Sequence, residues 1–447
     1  MPIDPETPGA VEAAIAGFVE TTPWEAIPEA VRHQARRAIV NILATGFAGA
    51  GEIDVLLAAL RPFSGPPSAG LVGRAERVDA ALAAFLNAAA ANVHDFDDTH
   101  TPTIVHPTAP VAPALFALAE TRPVSGRALL RAFVLGAEVE CRLGNALTPA
   151  HYARGWHVTS TCGPFGAALG VGALLGLDRH RLIAAISAAA AQAAGLVETL
   201  GTMAKSVSVG NAARGGLLAA LLAQAGLDGP AAPLSGTRGF ARVFADPPDL
   251  AALVDGLGER WEFGGNTYKP YPVGVVLNPV IDACLRLRGE GLAWDDAVRV
   301  TLRGHPLLRQ RTDRPDATTG RESQVSAQHA IAVALKTGAA DPAAFSDRAV
   351  AETLGRRPEV RFVDDPACDI AAVEMTVETR DGARRTVAIA AARGTPGNPL
   401  SDAEIADKLR AQARAAGFPG DVEALIAAAW TLDALPDAAA IPRLAAR

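Results

Sequence analysis

The sequence predicts a mainly α fold, in which a large all-helical domain is followed by a smaller α+β domain. The composition is rich in small apolar residues and contains only 5% aromatic residues, which suits closely packed helices. Apolar positions recur every three to four residues over most of the chain before Trp261. Beyond that residue, a stretch rich in Gly and Pro is followed by strand-like alternation.

The length of 447 residues exceeds what one compact core usually holds, so we expect at least two domains. The stretch WEFGGNTYKPYPVG, which begins at Trp261, cannot continue a helix because of its glycines and prolines. We therefore predict a helical domain over 1–262, an α+β domain over 263–395 and further helices over 396–447.

The first domain carries a clear helical period. Val31, Ala35 and Ile39 share one helix face, and Pro28 marks the start of that helix. The same period predicts further helices over 78–91, 109–120, 125–144, 163–175, 179–194 and 211–225.

The second domain combines strands with helices. Residues 298–302 alternate between apolar and polar, which indicates a half-buried strand. Two alternating runs, 373–377 and 387–389, flank Asp381-Gly382, a pair typical of a tight hairpin turn. Helices are predicted over 280–288, 326–337, 403–415 and 421–432.

Charge and motif content exclude several classes of protein. The net charge of -7 offers no basic face for nucleic acid. Cys141, Cys162, Cys284 and Cys368 stand singly, without the spacing of a zinc site or the density of a disulfide scaffold. The glycine-rich stretches lack the GxGxxG fingerprint and the GK[ST] of a phosphate loop.

The sequence also carries signals about location. Its start, MPIDPETPGA, has no basic region followed by an apolar stretch, and apolar tracts such as 184–197 are interrupted by polar residues. We expect a cytoplasmic protein that is not inserted in a membrane.

The densest cluster of ionisable residues is HDFDDTHTPTIVHP, residues 94–107. Three interpretations fit it: a solvated acidic loop, a metal site, and a site for acid–base chemistry. Neither DDxxD nor HxxxH is present, which disfavours a metal. Crowded carboxylates such as Asp95, Asp97 and Asp98 raise the pKa of one of their number, and His106 can titrate near neutrality.

Two further clusters carry candidate residues. His157 precedes Thr159, Ser160 and Thr161, which could cap a helix that begins near residue 163 and so favour an anion. The alternative is that His157 only packs against Trp156.

Lysine occurs at only four positions, and Lys205 stands among small residues with no acidic residue between Glu198 and Asp228. Such a lysine binds an anion or acts as a base, unless its ammonium group simply reaches the surface.

Together, HDFDDTH with a later HP, GWHVTSTCGPFGAALG, GTMAKSVSVGNAARGG and YKPYP resemble the MmgE/PrpD family in order and spacing over nearly the whole chain. The resemblance implies a large helical domain with a smaller α+β lid domain, C-terminal helices that return to the helical domain, and a homodimer. It also implies an enzyme that needs no metal and no organic cofactor, acting on a small di- or tricarboxylate.

Matching the motifs residue by residue gives the candidate site. The resemblance implies a catalytic set of Asp95, His106, His157 and Lys205, with Thr99 and Lys269 binding substrate. As a hypothesis, the lysines hold substrate carboxylates, one histidine moves a proton on carbon, and Asp95 tunes its histidine.

The chain departs from the family after KPYP. Where many members have a Cys or His, then Arg, and later a His, this sequence has Gly274, Val275 and Asn278. The leading prediction is a lyase of the dehydratase type that removes a proton next to a carboxylate. The alternatives are an isomerase or epimerase, a decarboxylase of the cis-aconitate type, and a noncatalytic binder of small acids.

Overall fold

The computed structural model describes residues 3–446 of the chain. Helices hold 57% of the residues and strands 9%, so the prediction of a mainly α fold is confirmed. The described residues divide into two compact units. The first, here called the helical unit, comprises the chain up to Val93, Asp97–Asn266 and the chain from Asp402 onward. The second, the mixed unit, comprises His94–Phe96 and Thr267–Ser401.

The helical unit contains most of the helices and two minor strands, β1 and β2, that pair antiparallel. A third minor strand, β3, spans Thr99–His100. The helices are α1 Ala10–Thr21, α2 Glu29–Gly49, α3 Asp54–Leu60, α4 Ala80–Asn92, α5 Thr108–Ala119, α6 Gly126–Leu147, α7 Ala150–Ala153, α8 Val158–Leu175, α9 Arg179–Ala190, α10 Met203–Gln224, α11 Phe240–Phe244, α12 Ala251–Val254, α18 Asp402–Ala415, α19 Val422–Trp430 and α20 Ala440–Ala445; β1 is Ala69–Gly70 and β2 is Arg77–Val78.

Helix α8 lies at the centre of this unit. It packs against both α6 and α10, and every residue from Val158 to Gly172 is buried. The close approach of α6 and α8 depends on glycine, since a Cβ atom on Gly136 would lie 2.4 Å from the carbonyl oxygen of Gly166. Small residues therefore set the spacing of the helices that carry the candidate residues.

Two helices start earlier than the sequence predicts. α8 begins at Val158 and not near residue 163, so Thr159, Ser160 and Thr161 lie inside its first turn and do not cap it. Their hydroxyl groups have other partners: that of Thr161, for example, contacts the His157 carbonyl oxygen at 3.2 Å. Helix α10 begins at Met203 and not near residue 211, which places Lys205 in its first turn.

Helices α8 and α10 are also long and apolar enough, by length and composition, to cross a membrane. In the structure, 83% of the apolar window in α8 and 61% of that in α10 are buried inside the protein. Packing against neighbouring helices therefore accounts for most of their apolar surface.

The buried Arg142 fixes the segment 252–260, which lies shortly before the chain leaves the helical unit at Asn266. Arg142 is fully buried, pairs with Glu138 at 2.7 Å and donates to four main-chain carbonyl groups between residues 252 and 260. Glu138 in turn accepts from the main-chain N–H groups of Glu262 and Phe263. This network holds the chain just before Asn266, which contacts the candidate site.

The mixed unit contains one four-stranded sheet in the order β6-β5-β7-β8, with β5 and β6 parallel and the other pairs antiparallel. Its core lies between this sheet and helices α13 and α16. The main elements are α13 Asn278–Gly289, β5 Ala297–Gly304, α14 Pro306–Thr312, α15 Gly320–Ser323, α16 Ala327–Thr337, α17 Asp347–Thr353, β6 Glu359–Asp364, β7 Val373–Thr379 and β8 Arg384–Ile389. A minor strand, β4, spans Asn266–Thr267.

The hairpin predicted in this unit is confirmed. β7 and β8 pair from Val373↔Ile389 to Glu378↔Arg384, and Gly382 in the turn has a φ of 82°. That backbone conformation suits glycine and explains the Asp-Gly pair. Strand β6 has no counterpart in the prediction, because only two of its side chains, Val360 and Phe362, pack partly against the core.

Candidate active site

The acidic segment that follows α4 is buried. Asp97 and Asp98 are both 0% exposed, so the interpretation as a solvated loop is wrong for these two residues. Asp98 accepts hydrogen bonds at one carboxylate oxygen from Thr108 and, at 2.6 Å, from Asn266. Asn92 donates to Asp97 at 2.9 Å. Asn92 on α4, Thr108 on α5 and Asn266 thus hold both carboxyl groups.

Burial changes the protonation of two acids here. It raises the pKa of Asp98 from its ordinary value of 3.8 to about 7, with a smaller contribution from the charge of Asp97, while the Thr108 hydrogen bond opposes the rise. Burial also raises the pKa of Glu140 well above its usual range, and Asp98 adds to the effect. Near neutral pH, Asp98 is therefore close to its pKa, and burial favours the uncharged form of Glu140.

His106 lies at the far end of the same segment and is 4% exposed. Its Nδ1 is 2.8 Å from the main-chain oxygen of Asp98, and a carbonyl oxygen can only accept, so Nδ1 carries the hydrogen. The same Nδ1 is 3.3 Å from a carboxylate oxygen of Asp97. The two side chains form an ion pair when the imidazole ring is protonated.

Asp97 and His106 are also residue types that bind divalent ions. In this arrangement the Nδ1 hydrogen of His106 points to a carbonyl group, so that nitrogen has no lone pair to offer an ion. A divalent ion would therefore bind His106 through Nε2 and not through Nδ1.

His157 precedes α8 and is 4% exposed. Its Nδ1 is 2.6 Å from the hydroxyl oxygen of Ser160, and that oxygen is 2.6 Å from the hydroxyl oxygen of Ser208 on α10. Ser208 in turn donates to the main-chain oxygen of Lys205 at 2.7 Å. A chain of short hydrogen bonds thus connects the second and third clusters of the sequence.

Lys205 is the third residue of α10 and is only 6% exposed. The alternative in which its ammonium group simply reaches the surface is therefore wrong. A buried cation in the first turn adds to the partial positive charge of the helix N-terminus, and the two together favour an anion.

The helical unit therefore brings together four of the predicted residues. The main-chain N–H of His106 donates to the Thr159 hydroxyl at 3.0 Å, which joins the acidic segment to the first turn of α8. The serine pair continues this connection to α10. Thr99, buried at 1% exposure, lies in β3, directly after Asp98.

The other two predicted residues, Asp95 and Lys269, belong to the mixed unit and bind each other. Lys269 donates to the main-chain oxygen of Asp95 at 2.9 Å and lies 3.2 Å from its carboxylate. Asp95 has a φ of 51°, a left-handed conformation that is uncommon for a residue with a side chain. The two contacts with Lys269 stabilise that conformation, and strain of this kind is typical of functional sites.

The three positions that depart from the family also lie in the mixed unit. A Cβ atom on Gly274 would lie 3.9 Å from a carboxylate oxygen of Asp95 and 3.8 Å from Val325, so a larger residue would fill space beside Asp95. Asn278 is 2% exposed at the start of α13, and Val275 precedes it. Gly274 therefore leaves the carboxylate of Asp95 accessible from that side.

A cavity of about 460 Å³ adjoins the serine pair in the helical unit. Its polar lining residues include Ser160, Ser208 and Arg214, and the guanidinium group of Arg214 donates to Asn211 at 2.9 Å. The residues that line it are Ser160, Gln192, Ala194, Gly195, Leu196, Thr199, Ser208, Asn211, Ala212, Arg214 and Gly215. None of the six residues predicted from the sequence is among them.

Sequence reasoning missed several residues that hold the site, among them Ser208 and Asn266. Ser208 follows Lys205 by three positions, a spacing that places both on one helix face once α10 is known to begin at Met203. Asn266 lies far along the chain from Asp98, and no local pattern connects the two.

Two family models together match most of the chain. Residues 13–253 match the model of the MmgE/PrpD N-terminal domain, and residues 271–434 match that of the MmgE/PrpD C-terminal domain. The chain belongs to the MmgE/PrpD family. Members of this family are lyases, so this MmgE/PrpD protein is an enzyme.

Several relatives of this MmgE/PrpD enzyme are cis-aconitate decarboxylases. The Mus musculus protein is 27% identical over 465 residues, which cover 97% of this chain and 93% of the relative. The Homo sapiens protein is 28% identical over 439 residues, covering 94% and 91%. The Aspergillus terreus protein is 28% identical over 302 residues, covering 64% and 62%.

Proposed function

We propose that this MmgE/PrpD enzyme is a carboxy-lyase that releases carbon dioxide from a small unsaturated di- or tricarboxylic acid, without a cofactor. The observation that carries the proposal is the similarity to two cis-aconitate decarboxylases over more than 90% of the chain. The buried cluster around His106, His157 and Lys205 supports it, because it offers a cation and proton-transfer groups away from solvent.

The chemistry requires charge stabilisation and one proton. Breaking the carbon–carbon bond to a carboxylate releases carbon dioxide and leaves an electron pair, which a neighbouring double bond spreads to a carbon beside another carboxylate. A proton delivered to that carbon completes the product. Fixed cations near the remaining carboxylates lower the barrier, because negative charge builds up beside them in the transition state.

We assign these tasks to residues by their surroundings. His106, beside Asp97, is the proton donor, because the carboxylate favours its charged form. Lys205 binds a substrate carboxylate with the help of the α10 N-terminus. Lys269 is paired with Asp95, so a substrate carboxylate competes with Asp95 for its ammonium group.

A second candidate function is the dehydratase reaction. It needs a base to remove a proton from carbon and an acid to protonate the leaving hydroxyl group. His157 favours this alternative, because its Nδ1 contacts a hydroxyl group and its Nε2 can act as the base. An isomerase would use the same base without a leaving group.

One experiment separates these reactions. The full-length enzyme is incubated in deuterated water with cis-aconitate, 2-methylcitrate, citrate and malate, and proton NMR spectra are recorded over time. Our proposal predicts release of carbon dioxide and one deuterium on carbon in the product. A new alkene without carbon dioxide would replace the proposal by a dehydratase, and deuterium uptake into an unchanged skeleton would replace it by an isomerase.

Replacing Lys205 tests the anion site. Lys205→Ala should lower kcat/KM by about 100-fold or more, since removal of one fixed charge-stabilising donor costs that much in other enzymes. The matched control is Lys336→Ala, because Lys336 pairs with Glu352 at the surface of the mixed unit. Unchanged turnover in a folded Lys205→Ala variant would remove Lys205 from the mechanism.

We also propose that the enzyme is a homodimer that forms through the outer face of α10. Leu218 and Leu222 lie four residues apart on that helix and are 36% and 47% exposed, and Leu196 and Leu227 add exposed apolar surface. Sedimentation of the wild type and of a Leu218→Glu, Leu222→Glu variant tests the proposal. A wild type that sediments as a monomer would contradict it.

A further inference from the structure

We infer that Ser160 and Ser208 are positioning residues that hold His157 in one tautomer, with the hydrogen on Nδ1 and the lone pair on Nε2. The inference rests on the direction of three hydrogen bonds, His157–Ser160, Ser160–Ser208 and Ser208–Lys205. Its consequence for catalysis rests on the proposed function, whereas the tautomer itself does not.

The direction is set at the end of the chain. The last acceptor is the main-chain oxygen of Lys205, which has no hydrogen to donate. Ser208 lies 2.7 Å from it and must use its single hydroxyl hydrogen there. Two oxygen atoms at that distance without a hydrogen between them would repel each other.

The remaining bonds follow from the first. Ser208 has no second hydrogen, so Ser160 must donate its own hydrogen across the 2.6 Å contact between the two hydroxyl groups. Ser160 then has none left for His157, so the imidazole must donate from Nδ1 across the other 2.6 Å contact. One arrangement of hydrogens therefore satisfies all three short contacts.

The arrangement also limits what His157 can do. A main-chain carbonyl group cannot accept a proton for transfer, so the serine chain is a dead end and cannot carry the Nδ1 proton away. With the hydrogen on Nδ1, the lone pair of the neutral ring lies on Nε2, which is the nitrogen that can exchange a proton with a substrate. The serine pair thus aims the basic nitrogen of His157, in the way that a carboxylate does in many catalytic triads.

The backbone of Gly195 passes close to the serine pair on one side. The main-chain N–H of His157 donates to the carbonyl oxygen of Gly195 at 3.0 Å. A Cβ atom on Gly195 would lie 2.4 Å from the Cβ of Ser160 and 3.4 Å from that of Ser208. Gly195 also has a φ of 146°, so glycine is needed for the backbone to pass this close to the pair.

The test is long-range proton–nitrogen NMR of the full-length enzyme labelled with ¹⁵N-histidine, with the His157 signals identified by their loss in His157→Gln. In the wild type we expect a protonated Nδ1 and an unprotonated Nε2. In Ser208→Ala, Ser160 loses its acceptor and can turn its hydrogen to Nδ1, so we expect the Nε2–H tautomer to become populated. Ser208→Thr keeps the hydroxyl group and should restore the wild-type spectrum.

The control is Ser187→Ala, since Ser187 likewise donates to a helix carbonyl group, Ile183 O, at 3.1 Å. It should leave the His157 signals unchanged. A wild type with the hydrogen on Nε2, or a Ser208→Ala spectrum identical to the wild type, would overturn the inference. If Ser208 had a purely structural role, its replacement would not change the tautomer of His157, because the hydrogen bonds of Ser208 are to Ser160 and Lys205 and not to the imidazole ring.

Kinetics then separate this inference from the proposed function. With an active substrate, Ser208→Ala should lower kcat more than it changes KM if His157 exchanges protons during turnover. If no acid in the panel reacts but the tautomer pattern is as expected, the proposed function fails and the positioning role stands. If the enzyme is an active lyase but His157 carries its hydrogen on Nε2, the proposed function stands and the positioning role fails.

Discussion

His106 and His157 are equally buried in the helical unit, but their surroundings differ. The Nδ1 atom of His106 faces a carbonyl group and, at 3.3 Å, the Asp97 carboxylate. The Nδ1 atom of His157 faces a hydroxyl chain that ends on a main-chain carbonyl group. Both rings therefore carry a hydrogen on Nδ1. Among these contacts, a carboxylate lies beside Nδ1 only in His106, where it stabilises the charged form of the ring.

This difference suggests a division of labour. A histidine beside a carboxylate is suited to donate a proton, whereas one held by hydroxyl groups stays neutral more readily and is suited to accept one. Decarboxylation needs only the donor, and dehydration needs both. The relative importance of the two histidines therefore reports on the reaction.

The largest expected effect comes from replacing the histidines separately. If the enzyme is a decarboxylase, His106→Gln should lower kcat by about 100-fold to 10,000-fold, which is the usual contribution of acid–base catalysis, and His157→Gln should cost less. Steady-state kinetics of both variants, with the exposed His180→Gln as control, measures this. Equal losses would favour the dehydratase, and a larger loss in His157→Gln would reverse our assignment.

A smaller effect is expected when only the charge beside His106 is removed. Asp97→Asn keeps an oxygen for the Asn92 hydrogen bond but removes the negative charge, so the charged form of His106 becomes less favourable. We expect kcat to fall by about tenfold, equivalent to ~1.4 kcal/mol. Asp407→Asn, which changes an acid that is 71% exposed, is the control. An unchanged kcat would show that Asp97 does not tune His106.

A further effect concerns stability. Asp98 has a folded pKa of about 7, raised from 3.8, so between these values the folded protein keeps a proton that the unfolded chain has lost. Stability should therefore fall as pH rises through this window, by about 1.4 kcal/mol per pH unit at most from this residue. Asp98→Asn can still accept from Thr108 and Asn266 and should flatten the dependence.

Urea unfolding at several pH values measures this slope in the wild type and in Asp98→Asn. The control is Asp407→Asn, which changes an acid at the surface. This variant should keep the wild-type slope. Identical slopes in the wild type and in Asp98→Asn would show that Asp98 is charged throughout the window.

Much of the fold could be predicted because it depends on local patterns. The helical period before Trp261 and the alternation around Asp381-Gly382 follow from side-chain spacing alone. The starts of α8 and α10 are predicted too late, and for α8 the reason is that Thr159 and Ser160 are residue types common in loops and caps. Their hydroxyl groups contact His106 and Ser208, which are distant in the chain, and no local pattern contains that information.

The site residues show the same limit. The motifs identify His106, His157 and Lys205 as candidates, and burial of Lys205 removes the alternative of a surface lysine. The predicted domain ranges, the lid and the role of each site residue stay predictions. The acid that lies beside His106 in the helical unit is Asp97, whereas the motif drew attention to Asp95.

The sequence by itself determined a mainly α chain, a later region with strands and a hairpin, and a family whose motifs mark the chemistry. Only the tertiary structure decided that Ser208 reaches Ser160, that Asn266 reaches Asp98, and that Lys269 binds Asp95. The physical reason is that period and turn chemistry act over a few residues, whereas hydrogen-bond direction and burial depend on groups that are distant in the chain and meet only after packing.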